Sequence, residues 1–391
     1  MTQRRAIDGL LFVLALGFAI LVVPDVFDGL ETLWSGAGTI SGIDLRMRVK
    51  EVGGWFAGAP VYRTDANAVY PPAGYLVIGA LTGGADFERA RALWAVQSVL
   101  LLILASVGVM FATRSEGIAR RATALLVVPG VAAIAPGVAN GQVHLLTVVA
   151  GVAGALLLAR REGSWATDIA GALLMVICLA KPTNASAFFL AGCLLSGRWR
   201  PALLSVGLYG LATVVALTFA TETWLVTLSR WVDRAVSGAE YGAYEGGSTN
   251  AHTFLVKVGI RQYSTLITVG LLGLFGEWAS RRRTADPWVV LGVGGLVARL
   301  CVYHRSYDDV LVVPALIALL RLVWGGREDA PAWVRHGAVA VTVVAFVVIG
   351  LPERVLPSTQ AFEILQTAGW LAMLVFLWAA STHTESNGDH A

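Results

Sequence analysis

Apolar residues come in long runs broken by short polar connections. The runs lie near residues 6–23, 90–112, 122–138, 142–159, 166–180, 184–196, 201–220, 262–280, 286–303, 307–324, 333–351 and 361–380. A helix needs about 20 mostly apolar residues to cross a hydrocarbon core. The pattern therefore predicts an all-α, polytopic transmembrane bundle of about twelve spans, with the whole chain, 1–391, as one domain. The piece Pro71 to Thr82 is too short to span and predicts an interfacial or re-entrant helix. Two long polar segments, 24–70 and 221–261, separate spans. In the first, Leu45, Val49, Val52 and Phe56 recur at helical spacing, which predicts a helix lying on the membrane surface. The second sets Trp224, Trp231, Tyr241 and Tyr244 among charged residues, as an interfacial lid or an aromatic belt would.

Arginine fixes the expected topology. Arg4/Arg5, Arg114/Arg120/Arg121, Arg160/Arg161, Arg198/Arg200, Arg281/Arg282/Arg283 and Arg321/Arg327/Arg335 fall at every second connection, and short Arg-rich loops stay cytoplasmic. With Pro71 to Thr82 not crossing, all six clusters and both termini lie inside. The first apolar run follows Arg4 and Arg5 as a signal peptide would. It is followed by Pro24 and acidic residues instead of a small-residue cleavage site, so it reads as a retained first helix.

Composition sharpens this picture. The chain is 56% hydrophobic and only 14% charged, against about 25% charged in soluble domains. A net charge of +3 gives no reason to expect nucleic acid. Cys178, Cys193 and Cys301 fall inside apolar runs, where they read as packing residues, not as disulfides or metal ligands. No metal site or cofactor is expected. Asp-x-Asp triplets and phosphate-binding glycine loops are absent from the sequence, so a sugar transferase built this way would draw its donor from the lipid.

The alternate connections carry the distinctive polar residues: Pro24 to Tyr70, Asn140-Gly141-Gln142, Lys181 to Asn184, Thr221 to Arg261, and His304 to Asp309. Asp44 opens the surface helix and can serve as a general base or as a helix N-cap. Lys181, one of three lysines with Lys50 and Lys257, stands between apolar runs, where a charge needs a partner or an outlet to water. It can face a phosphate or snorkel. Arg299 sits one turn inside its helix end and has the same choice. His304 and Arg305 can donate to phosphate oxygens. Asp308 and Asp309 can orient the imidazole but suit capping better, and Asn140 and Gln142 suit hydroxyl recognition or capping. Gly292, Gly294 and Gly295 read as helix-packing residues.

Taken in order, Asp44 with Gly58-Ala59-Pro60-Val61-Tyr62, Tyr70-Pro71-Pro72, Asn140-Gly141-Gln142, Lys181-Pro182, and His304 to Asp309 ahead of Val310-Leu311-Val312-Val313-Pro314 resemble the bacterial membrane mannosyltransferases of glycosyltransferase family 87. That resemblance implies the C-type glycosyltransferase fold in a bacterial inner membrane. It implies a polyprenyl-phosphate sugar donor, a glycolipid or glycan acceptor, and inverting transfer with Asp44 as base. Lys181, His304, Arg305 and Arg299 would hold the donor phosphate. Tyr62, Tyr70, Asn140, Gln142, Asn184, Asn250, His252 and Asp308 would contact substrate. The chain departs from the family at Thr249-Asn250-Ala251-His252-Thr253, where relatives carry Asn-Gln-Ser. A transporter or flippase of a lipid-linked substrate is the competing reading. Transporters, however, tend to show internal repeats and midplane sites, and a passive scaffold would not need the outer polar residues.

Overall fold

The computed structural model describes residues 2–36, 41–84, 86–160, 163–244, 259, 263–301, 306–325, 331–350 and 360–383. Among them the chain is helical throughout, in the order α1 (Thr2–Ser35), α2 (Ile43–Phe56), α3 (Val61–Thr64), α4 (Pro72–Thr82), α5 (Phe87–Ala112), α6 (Ile118–Val127), α7 (Ile134–Ala139), α8 (His144–Leu158), α9 (Trp165–Cys178), α10 (Pro182–Leu195), α11 (Trp199–Leu217), α12 (Trp224–Tyr244), α13 (Ser264–Ser280), α14 (Pro287–Cys301), α15 (Val313–Gly325), α16 (Ala332–Gly350) and α17 (Gln360–Ala380). A 3-10 turn, Ser306–Val312, leads into α15.

Five helices among the described residues have the length and apolarity to cross a membrane: Arg4–Ser35, Phe87–Ala112, Trp199–Leu217, Ala332–Gly350 and Ile364–His383. The apolar helices α4, α8, α9, α10, α13 and α14 are shorter, 10 to 17 residues. At 1.5 Å per residue a fifteen-residue helix rises only about 22 Å, less than a hydrocarbon core of about 30 Å.

Two expected boundaries move. The outer segment does not begin at Pro24, because α1 runs through that proline to Ser35. Val22, Val26 and Leu33 are buried and Leu30 packs against the core, so one apolar stripe outlasts the local breaker. The run 122–138 is not one helix. Pro129-Gly130 divides it into α6 and α7, and the freed backbone is satisfied from elsewhere, Ala132 N donating to Ile349 O at 3.1 Å. The glycine expectation holds: a Cβ on Gly292 would lie 2.7 Å from Ala315 Cα, and one on Gly295 would collide with the Leu311 carbonyl. The three cysteines are free, Cys178 and Cys301 fully inside.

The arginine-rich connections meet at one end of the bundle. Arg120 bridges Asp8 at 3.1 Å and Glu116 at 2.9 Å, and also donates to Trp324 O. Arg321 holds Asp286 at 2.7 Å. The 281–286 connection joins this cluster to a second, because a Cβ on Gly197 would come within 3.4 Å of Arg283. There Arg198 and Arg200 grip Asp168, which is 0% exposed, and also take the Gly163 carbonyl. From Asp8 to Leu33, where the Arg91 guanidinium meets the last turn of α1, the helix rises roughly 38 Å. The two ends are a membrane thickness apart.

Removing the carboxylate of Asp168 leaves two guanidinium groups facing each other. Asp168→Ala is expected to cost about 3 kcal/mol and to lower the thermal unfolding midpoint in detergent, whereas Glu277→Ala, whose ion pair with Arg281 is exposed, should leave it within error.

Candidate functional site

At the opposite end, α2 is docked on the turn that joins α7 to α8. The backbone amides of Asp44 and Leu45 both donate to the Asn140 carbonyl, at 3.1 and 3.2 Å, and Gly42 N donates to Ala139 O at 2.8 Å. Asp44 therefore does not cap the helix: Gly42 occupies that position, and the Asp44 carboxylate instead accepts a short hydrogen bond from the Gln142 side chain. The turn needs its glycine. Gly141 has φ +67°, and a Cβ there would lie 2.6 Å from Leu45 Cβ.

One turn along α2 a buried polar cluster begins. Arg48 bridges Glu51 at 2.7 Å, donates to Asn67 O at 3.2 Å, and lies 4.7 Å from the centre of the Tyr70 ring. Glu51 also accepts from Tyr75 Oη at 3.1 Å. Trp55, Tyr62 and Tyr75 pack as an aromatic triad, and Trp55 Nε1 donates to Ala216 O. Tyr62 Oη donates to Tyr70 O at 2.7 Å. α12 closes over this segment, with Trp231 Nε1 on Val69 O at 3.1 Å and Arg234 Nε on Tyr62 O at 2.7 Å.

The third component comes from α10 and the 3-10 turn. Lys181 Nζ and Asn184 Nδ2 both donate to Asp308 Oδ1, at 2.8 and 3.0 Å. The next carboxylate, Asp309, takes the Arg299 guanidinium, which stacks 4.1 Å over Trp370.

These three parts adjoin one another. The N-terminus of α4 packs so closely on the residue before Lys181 that a Cβ on Gly74 would stand 2.7 Å from the Ala180 carbonyl. Tyr70, just before α4, joins the electrostatics: burial pushes its phenol well above the ordinary value, Arg48 pulls it back, and the carboxylates of Asp44, Asp308 and Glu51 each add to the rise. Asp44, from the amino-terminal segment, and Asp308, from beyond α14, thus act on one side chain.

Several expected roles are revised by burial. Arg299 is 1% exposed and paired with Asp309, so it does not snorkel to the surface. Asp308 and Asp309 are ion-paired, where capping was expected. Asn184 is fully buried on Asp308, and Tyr62 and Tyr70 are buried with the Tyr62 hydroxyl spent on backbone, so all three build the wall of the site. Asp44, Asn140, Gln142 and Lys181 remain half-buried. His304, Arg305, Asn250 and His252 lie outside the described residues. Among the described residues no group of three His, Cys, Asp or Glu side chains is gathered as a metal ion would require.

Sequence reasoning passed over Glu51, Tyr75 and His144. Glu51 lies on α2, read only for its hydrophobic spacing, and Tyr75 on α4, read only for its length. His144 opens an apolar run, where a single imidazole attracts no notice. It is 1% exposed and packs on Tyr307 with ring centres 5.8 Å apart.

No family model matches the chain, and neither does any curated protein or solved structure.

Burial raises Glu51 from 4.5 to about 7, against the opposing pull of Arg48. The folded state then holds a proton that the unfolded chain releases. The associated stability is fully present below about pH 4.5 and is lost as pH rises through about 7, at about 1.4 kcal/mol per unit. The thermal midpoint in detergent should fall between pH 5 and pH 8, and Glu51→Gln should flatten that slope while Arg48 keeps the Asn67 carbonyl.

Proposed function

We propose that the chain is an inverting membrane glycosyltransferase. It moves a hexose, with mannose the first to test, from a polyprenyl-phosphate donor to a glycolipid or glycan acceptor at the outer face of a bacterial inner membrane, with both termini cytoplasmic. The observation that supports it is the convergence of a half-buried carboxylate, Asp44 on Gln142, and a half-buried cation, Lys181 on Asp308, around Tyr70 at the end of the bundle opposite the arginine clusters. The resemblance of the outer-junction residues to family 87 and its C-type fold points the same way, and the count of about twelve spans belongs to this reading.

In this mechanism Asp44 takes the proton of the acceptor hydroxyl as its oxygen attacks the anomeric carbon, while Gln142 fixes the carboxylate. The bond from that carbon to the phosphate oxygen breaks with its electron pair on the phosphate, and configuration inverts. Lys181 stabilises the departing polyprenyl phosphate, and Asp308 and Asn184 hold Lys181 in place. His304 and Arg305, the next basic residues along the chain before Tyr307, are assigned to the same phosphate. Arg299 is assigned to holding Asp309 and the 3-10 turn. A donor whose chain partitions at about 0.8 kcal/mol per methylene stays among membrane lipids and enters from the side.

Purified protein given a radiolabelled polyprenyl-phosphate mannose and a membrane extract should form a labelled glycosidic product. Asp44→Asn should reduce the rate at least about 100-fold with an unchanged melting temperature. Label that crosses a reconstituted bilayer without any new glycosidic bond would instead identify a flippase.

A further inference from the structure

His144 stands in the first turn of α8, two residues beyond the Gln142 that binds Asp44. Among the described residues neither of its ring nitrogens has a hydrogen-bond partner, although the residue is 1% exposed. A buried polar group left unpaired costs about 1–3 kcal/mol. Tyr307 packs on the ring at a tilt of 31°, and Gly137 closes the Cε1–Nε2 edge, where any Cβ would collide. The same Tyr307 ring is 5.7 Å from Lys181 Nζ, and its neighbour Asp308 holds that ammonium. His144 therefore lies between the pair that carries the base and the pair that carries the cation.

We propose that His144 hydrogen-bonds a hydroxyl of the donor hexose and so sets the sugar between Asp44 and the phosphate site. The assignment rests on the transferase reading above. A group placed between the attacking base and the leaving phosphate faces the sugar itself. A neutral imidazole offers one donor and one acceptor, as a sugar hydroxyl does, whereas the ammonium of Lys181 only donates and suits a phosphate oxygen. The Cε1–Nε2 edge is closed by Gly137, so the hexose reaches the imidazole by displacing Tyr307, a partly exposed ring on the short 3-10 turn.

The test compares His144→Phe with His144→Gln in the full-length protein in detergent, using a polyprenyl-phosphate mannose as probe for both equilibrium binding and transfer. Phe keeps the ring packing and removes the nitrogens; Gln keeps a donor and an acceptor without the ring. Donor affinity and kcat/KM should fall at least 10-fold in His144→Phe at an unchanged melting temperature, with partial recovery in His144→Gln. A Phe variant that binds and transfers like the wild type overturns the proposal and makes the imidazole a packing residue. If Phe lowers the melting temperature sharply, wild-type protein decides: donors lacking each ring hydroxyl in turn should bind unequally, and equal binding overturns the assignment. Wild-type protein that binds the donor but forms no product overturns the transferase reading, while the binding comparison still judges His144. No donor binding at all overturns both.

Discussion

Charge buried in an apolar bundle must be matched where it stands, and the placement of these matches governs the molecule. Asp308 is 3% exposed and receives Lys181 and Asn184 from α10; Asp309 receives Arg299 from α14. An uncompensated charge in this setting costs several kcal/mol. The 3-10 turn at 306–312 therefore cannot drift away from either helix without unpairing a carboxylate. Around that fixed turn the remaining polar groups find their distances: Tyr70 beside Arg48, α4 against Ala180, and Tyr307 between Lys181 and His144.

Much of the architecture was legible in the sequence because apolar runs and arginine placement reflect a single bulk property, partition between hydrocarbon and water. The helix at Ile43–Phe56, the short helix after Pro71 and the close glycine contacts of α14 all followed from local spacing. The errors arose where a long-range contact outweighed a local signal. Pro24 reads as a stop, yet the stripe through Val26 and Leu33 carries α1 onward. Pro129-Gly130 reads as an interruption, yet it was absorbed into one long run, and the interruption proved real because Ile349 supplies the hydrogen bond.

The site divides in the same way. Residues at polar junctions, Asp44, Gln142 and Lys181, announce themselves because nothing in an apolar chain otherwise explains them. Which residues pair is not announced: Lys181 with Asp308 and Gln142 with Asp44 join positions with no shared pattern. Burial was equally hidden: Tyr62, Tyr70, Asn184 and Arg299 looked accessible in the sequence and are buried in the fold. His144 was passed over because it opens a long apolar run, where one imidazole carries no pattern.

The contacts that fasten α12 to α3 and the segment between it and α4 end on main-chain oxygens, those of Tyr62 and Val69. A clasp of this kind reads the path of the backbone and is indifferent to what hangs from it. Substitutions at the exposed positions Arg63, Thr64, Ala66 and Asn67 that preserve that path leave the cover fastened, so these positions have latitude to diversify while Tyr62 and Ala68 are held by packing.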